Sequence, residues 1–423
     1  MPALTADRES FAEADAEAAT ARGGDTRLST RGSNQGGLRQ YNERVVLQAV
    51  RLHGAMPGAD LARLTGLTAQ TVSLISKRLL DEGYLVKGAP VRGKVGQPSV
   101  PLSLNPQGAY AVGIKVGRRQ MDTLLVDFTG AVQARWSWNY DFPDPDELLA
   151  EIGRRLAGIR RKLGPGARER VCGVGIAAPL ALGGWQSLLG VAPELAARWA
   201  GLDLREAVAQ RCEWPVLAMK DTAAACVAEL VAGRGRSLHS FLYVFVDTFI
   251  GGGLVIDSHL RTGATGNAGA VGSMPLGPAG SGPQGAAGQL LSVASLNTLQ
   301  QAWAAAALAP ALGEQSLQAP WRSVTEAWLA QAAPALAHAI QSAACLLDLD
   351  GVIIDGVFDR ALLAALMRAT EAAMRAHSWE GVTLPPLFEG AVGADAGALG
   401  GALLPLHANF APDRELFLKE LTA

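Results

Sequence analysis

Between Leu38 and Leu104 the apolar residues fall three times into a helical rhythm, and then into two short strands around a basic tip. Tyr41, Val45, Val46, Ala49 and Leu52 recur at the spacing of one helix face, and His53-Gly54 closes that helix. Pro57-Gly58 marks a break. Asp60–Thr65 forms a short second helix with Leu61 and Leu64 as its inner side. Gly66 turns the chain, and Thr68 caps a third helix that runs to about Glu82. Val72, Ile75 and Leu79 give that helix its buried side, and Gly83 stops it. The strands Tyr84–Lys87 and Ser99–Leu104 then flank VRGKVGQP, a basic, glycine-rich hairpin tip that reads as a wing.

Two helices joined at a tight turn let the second enter the major groove of DNA while the first braces the backbone. The groove is about 12 Å wide and admits one helix. The face opposite Val72, Ile75 and Leu79 carries Gln70, Thr71, Ser73, Lys77 and Arg78, with Thr68 at its start. Gln70 can pair with an adenine edge through two hydrogen bonds, and Thr71 or Ser73 can touch bases or phosphates. Lys77 and Arg78, nearer the C-terminal end, suit phosphates, while Arg92 and Lys94 on the wing can reach the minor groove or the flanking backbone. Charge agrees. Residues 38–100 hold nine Lys and Arg against four acids, net +5, although the whole chain is at −2. The bland alternative is a small helical bundle with a polar surface.

Residues 1–37 are rich in small and acidic residues without a sustained apolar period and read as a disordered tail. They lack the apolar run of a signal peptide, and no stretch approaches about 20 uncharged apolar residues. Cys172, Cys212, Cys226 and Cys345 stand far apart, so neither a structural zinc nor a disulfide framework is expected, and a reducing cytoplasm fits. After Asn105-Pro106 strands and helices alternate, an α/β layer architecture.

LRQYNERVVLQAVRLHGAMPGADLARLTGLTAQTVSLISKRLLDEGYLVKG, with GKVGQPSVPLSLNP after it, resembles the winged helix–turn–helix of ROK-family regulators (repressor, open reading frame, kinase). GIKVGRRQMDTLLVDFTG resembles that family's first hairpin, and GVGIAAPL a later glycine turn. KDTAAACVAE resembles the stretch that carries the kinase's catalytic aspartate, and FLYVFVDTFIGGGLVIDSHLRTGATGNAGAVGSMP its phosphate loop and sugar-binding segment. The resemblance covers about 38–402. It implies an α/β chain with an N-terminal winged helix–turn–helix, 38–104, before a two-lobed actin/hexokinase-like domain. Lobe 1 would span 105–217, completed by about 395–423, and lobe 2 would span 218–394. It also implies homodimers or homotetramers, a sugar-like effector and double-stranded DNA as partner.

The same resemblance measures what is missing. Asp221 stands at the catalytic base, where it can accept a hydroxyl proton or simply cap the helix that follows. In the first phosphate turn Lys115 takes an acid's place, and Arg118 and Arg119 stand where glycine and small polar residues belong. In the second, Asp247 and Phe249 replace two glycines. A carboxylate there opposes a polyphosphate: two unit charges about 4 Å apart cost about 4 kcal/mol at an effective dielectric near 20. The family's sugar-binding Glu-x-Gly-His step reads Ala270-Val271-Gly272-Ser273, and Gly282, Gln284 and Gln289 occupy its three thiolate positions. None of these is a zinc donor, so no metal and no cofactor is expected. Lys220, Asp221 and Asn267 remain as candidates to hold an anionic or amide-bearing effector, unless Lys220 only balances nearby acids.

These readings predict a sequence-specific DNA-binding regulator, a repressor of carbohydrate-related genes, without enzymatic activity. Two such modules on a two-fold dimer would meet a palindromic site with half-sites about one helical turn apart or a multiple of it. The alternatives are a sugar kinase of the same family and a DNA-binding protein that senses no ligand.

Overall fold

The structure, a computed structural model, describes residues 35–90, 99–277 and 288–412. The chain separates into two compact units, 1–42 and 43–423, and of the first only the opening residues of helix α1 (Gln35–His53) are described. Arg92, Lys94 and nearly all of the N-terminal tail lie outside the described residues.

After α1 come a two-residue strand β1 (Met56–Pro57), α2 (Gly58–Thr65) and α3 (Ala69–Asp81). Strands β2 (Leu85–Lys87) and β3 (Pro101–Leu104) follow, and the three strands form an antiparallel sheet in the order β1-β3-β2. This is a winged helix–turn–helix. Gly66 ends α2 in the left-handed region, and Thr68 caps α3 by accepting the Thr71 amide at 3.2 Å. Val72, Ile75 and Leu79 are buried as their spacing predicts. Leu64 is not: it is 41% exposed, and the core contact of α2 is made by Leu61 with the partly buried Ala62. The predicted break at Pro57 is a strand, since Met56 and Pro57 pair with Leu102 and Pro101.

The body holds two five-stranded sheets. The first is built from β4 (Tyr110–Val116), β5 (Gln120–Asp127), β6 (Val132–Asn139), β7 (Val171–Ala178) and β8 (Val216–Lys220). Between β6 and β7 lies α4 (Pro145–Lys162), and between β7 and β8 lie α5 (Pro193–Ala200) and α6 (Leu204–Ala209). From β8 the chain passes into α7 (Asp221–Ala232). The second sheet is built from β9 (Phe241–Val246), β10 (Gly251–Ile256), β11 (His259–Arg261), β12 (Gly351–Gly356) and β13 (Leu387–Glu389). Its crossovers use α8 (Leu296–Ala305), α9 (Arg322–Leu347) and α10 (Arg360–Arg375). The orders are β6-β5-β4-β7-β8 and β11-β10-β9-β12-β13. Each sheet is thus a three-stranded antiparallel meander whose first strand is central and pairs in parallel with the first of two crossover strands. The same topology occurs twice with no repeat visible in the sequence.

The last helix, α11 (Ala396–Phe410), lies against β4, β7 and α7. It ends beside the helical module. Phe410, Phe128 and Tyr84 form a ring cluster with centroids 4.7–5.7 Å apart. Arg51 at the end of α1 donates to the Phe128 carbonyl at 2.8 Å and lies 5.0 Å over its ring. Burial lowers its guanidinium to about 10, and it remains charged at neutral pH. Arg236, just after α7, donates to the Leu52 carbonyl at 2.8 Å. Leu61, Val72, Leu79 and Leu85 belong to one apolar cluster with Phe128, Phe241 and Leu403. The helical module is therefore packed onto the body rather than tethered beside it.

Candidate functional site

Two sites result: the outer face of α3 and a cavity between the sheets. On α3, Gln70, Ser73, Lys77 and Arg78 are exposed, as the sequence predicts, and Thr71 is half-buried. Two of these side chains are already engaged. The Thr71 and Thr68 hydroxyls lie 2.8 Å apart. Arg78 donates to Glu82 at 2.8 Å and lies 3.4 Å from Glu43, and the Glu82 hydrogen bond raises its pKa. Gln70, Ser73 and Lys77 are the side chains most available to a partner. Sequence reading passed over Leu74, which stands among them 65% exposed.

The cavity, about 150 Å³, is lined by Lys220, Asp221 and Asn267, which the sequence singled out together, and by Arg118, Trp185 and Phe249. Lys220 closes β8 and Asp221 opens α7, so the strand-to-helix step delivers both to the cavity wall. Asp221 is the first helical residue rather than the cap, and its Oδ1 accepts the Thr222 amide at 2.7 Å. Burial raises its pKa, against the pull of Arg118 and Lys115. Burial lowers that of Lys220, whose Nζ is buried without a hydrogen-bond partner among the described residues. Lys220 is therefore not locked in an ion pair with its neighbour.

Arg118 lines the cavity. Its guanidinium carbon lies 4.8 Å from the Phe249 ring centre and 5.5 Å from that of Trp185, and Nη2 donates to the Ala181 carbonyl at 3.3 Å. Two flat rings around a flat cation are a favourable arrangement in a partly dry site. Trp185 carried no sequence signal, because it comes from a loop remote in the chain.

The charge on Asp247 is not the bare repulsive charge that the sequence alone suggests. Lys115 Nζ donates to its Oδ2 at 2.5 Å. For Asp247, burial raises the pKa, but Lys115 together with the Thr248 amide and Arg118 outweighs it and the net direction is down. For Lys115, burial lowers the pKa, and Asp247 together with Asp122 and Asp221 outweighs it, so the net direction is up. Lys115 on β4 and Asp247 just after β9 are thus partners rather than two unrelated charges.

The residues present do not fit the family's zinc: Ala270 and Ser273 line the cavity without a metal-binding group, and Gly282 and Gln284 lie outside the described residues. Among the described residues no three His, Cys, Asp or Glu side chains are grouped to hold a metal ion, and no helix is long and apolar enough to cross a membrane.

Fold and cavity together define a class, a winged helix–turn–helix joined to an actin/hexokinase-like body. The chain belongs to the ROK family, whose sequence pattern residues 111–408 match. It is 27% identical over 235 residues to the xylose repressor of Caldicellulosiruptor bescii, a match that covers 56% of this chain and 58% of that protein. The chain thus spans less than two thirds of the length of the curated repressors it matches. A solved ROK-family transcriptional regulator, described as a homologue of the Escherichia coli Mlc protein, superposes with a TM-score of 0.66 at 20% identity, covering 89% of this chain and 97% of that one. The ROK hexokinase of Thermus thermophilus superposes with a TM-score of 0.52 at 23% identity, over 70% of this chain and 97% of the other. Both share the fold.

Proposed function

We propose that this protein is a sequence-specific DNA-binding transcriptional regulator, a repressor of carbohydrate-related genes. Residues 38–104 bind duplex DNA, and the kinase-like body behind them assembles the dimer or tetramer and senses an effector. The observation that carries the reading is the outer face of α3, where Gln70, Ser73 and Lys77 are exposed on a rigidly packed helix of a module with net charge +5. The names of the xylose and Mlc repressors among its relatives support it. Gln70→Ala is expected to weaken specific binding by about 1–3 kcal/mol and leave binding to random DNA unchanged. Lys94→Ala is expected to weaken both equally and to lower the salt slope by about one. Titration of labelled duplexes at several salt concentrations checks both. Equal losses for Gln70→Ala on specific and random DNA would refute its assignment.

Lys220, Asp221 and Asn267 would hold the effector, a sugar-like molecule with an anionic or amide group to meet Lys220. Such a molecule releases DNA only if it binds the DNA-competent and DNA-incompetent conformations with different affinity. Specific binding raises the melting temperature by linkage, so a thermal-shift screen of sugars, polyols and sugar phosphates finds it.

A second reading, a sugar kinase, is favoured by Asp221 on the cavity wall beside Asn267. Phosphoryl transfer also needs backbone amides around the phosphates and Mg²⁺ bridging their oxygens. By the family resemblance Arg118, Phe249 and the Lys115–Asp247 pair occupy the phosphate-loop positions, which supports reading Asp221 as a vestigial base in a protein without catalysis. ATP consumption across a sugar panel separates the two readings.

A further inference from the structure

We propose that Leu74 reads the 5-methyl group of a thymine in the major groove, as a specificity-determining residue beside Gln70. The inference rests on the DNA-binding reading above and names a part of its code. At 3.6 residues per turn each residue advances about 100° around α3. On that wheel Val72, Ile75, Ser76 and Leu79, all buried, define the inner side. Directly opposite runs a single ridge of Gln70, Leu74, Lys77 and Asp81, at i, i+4, i+7 and i+11. Thr71 and Arg78 fall on its flank, and both are tied to protein partners. Whatever the outer face of α3 meets, Leu74 meets it near the centre.

An isolated exposed leucine is ordinary on a protein surface. This one is 65% exposed, and its neighbours on the ridge are Gln70 and Lys77. The core does not need it, since Val72, Ile75 and Leu79 already fill the inner side. A basic module selects a polyanion as its partner, and the only apolar group on a base edge in the major groove is the thymine methyl. Leu74 is the sixth residue of α3, within the N-terminal part of a recognition helix that reaches base edges. It lies about 6 Å along the axis from Gln70, close to two base-pair steps of about 3.4 Å. The thymine should therefore fall within two base pairs of the adenine that Gln70 reads.

The test uses the full-length protein and a specific duplex selected from random sequence. Each thymine of a half-site is replaced in turn by deoxyuridine, which removes only the methyl group. Affinities are measured for the wild type, Leu74→Ala and Gln70→Ala. One thymine per half-site is expected to show a loss of about three- to fivefold with the wild type, the worth of one buried methyl. That loss should vanish in Leu74→Ala and persist in Gln70→Ala, with random-DNA affinity unchanged in Leu74→Ala. A deoxyuridine profile identical in wild type and Leu74→Ala overturns the proposal while leaving the DNA-binding reading intact. So does a change of oligomeric state in Leu74→Ala with that profile unaltered, which would make the leucine a contact between copies. Failure of the wild type to prefer any duplex sinks the parent reading and this one with it.

Discussion

Replacing Gly400 by valine is expected to leave little folded protein at 25 °C. A Cβ at this position would lie 1.7 Å from the Ala224 carbonyl oxygen of α7, an atom that no side-chain rotation moves away. The only relief is to separate α11 from α7, which opens the buried layer containing Ala224, Ala225, Ala398 and Ala402. The cost should exceed about 4 kcal/mol, a large part of the stability of an ordinary domain. A Cβ on Gly175 of β7 would be placed just as badly, 1.8 Å from the Gly401 carbonyl. Gly153 of α4 provides the control. Among the described residues nothing would lie within 4 Å of a Cβ there, so Gly153→Ala should be neutral or raise stability by up to about 1 kcal/mol. Urea unfolding followed by circular dichroism reads all three.

Lys115→Met is expected to cost about 3–5 kcal/mol, because it strands the largely buried Asp247 carboxylate near Asp221. Asp247→Asn should do comparable harm by stranding the lysine. The double variant should cost clearly less than the two losses added, with a coupling of about 0.5–3 kcal/mol. The pH dependence has a definite sign. Lys115 holds the Asp247 carboxyl low in the folded state, so its contribution is present above the unfolded value near 4 and is lost as pH falls through the folded value. Lys115→Met removes that contribution, and the gap between wild type and variant should narrow on acidification. Unfolding midpoints at neutral pH and below pH 4 check this.

The two variants also mark where sequence reading succeeds and where it stops. The helix–turn–helix was legible because each of its helices is amphipathic and buries one side: Val72, Ile75 and Leu79 advertise α3 directly. The residues Lys220, Asp221 and Asn267 were legible as a set, through the motifs in which they stand, and they line one cavity. Helix α11 was not read as a helix. Its segment, AGALGGALLPLHANF, contains three glycines and a proline, residues that normally break helices. It forms because those small residues admit the backbones of β4, β7 and α7 at close range, a tertiary gain that local propensity does not record. The Lys115–Asp247 pair was invisible for another reason. The partners are 132 residues apart, and each alone looks like a defect in a phosphate site. Arg118 departs from the glycine and small polar residues expected at its turn, and its stacking on Phe249 and Trp185 has no local sequence signal. Spacing alone puts Leu64 inside, whereas the structure buries Leu61 and leaves Leu64 41% exposed.

The most direct test of the account is a selection of duplexes from a random-sequence library by the purified full-length protein at about 0.15 M salt, with ATP and a sugar panel supplied to the same preparation. The account predicts enrichment of an inverted repeat with half-sites one helical turn or a multiple apart, lost when Gln70 is changed to alanine, and no phosphorylated sugar. A library returned without enrichment, together with steady ATP-dependent sugar phosphorylation that requires Asp221, would contradict it.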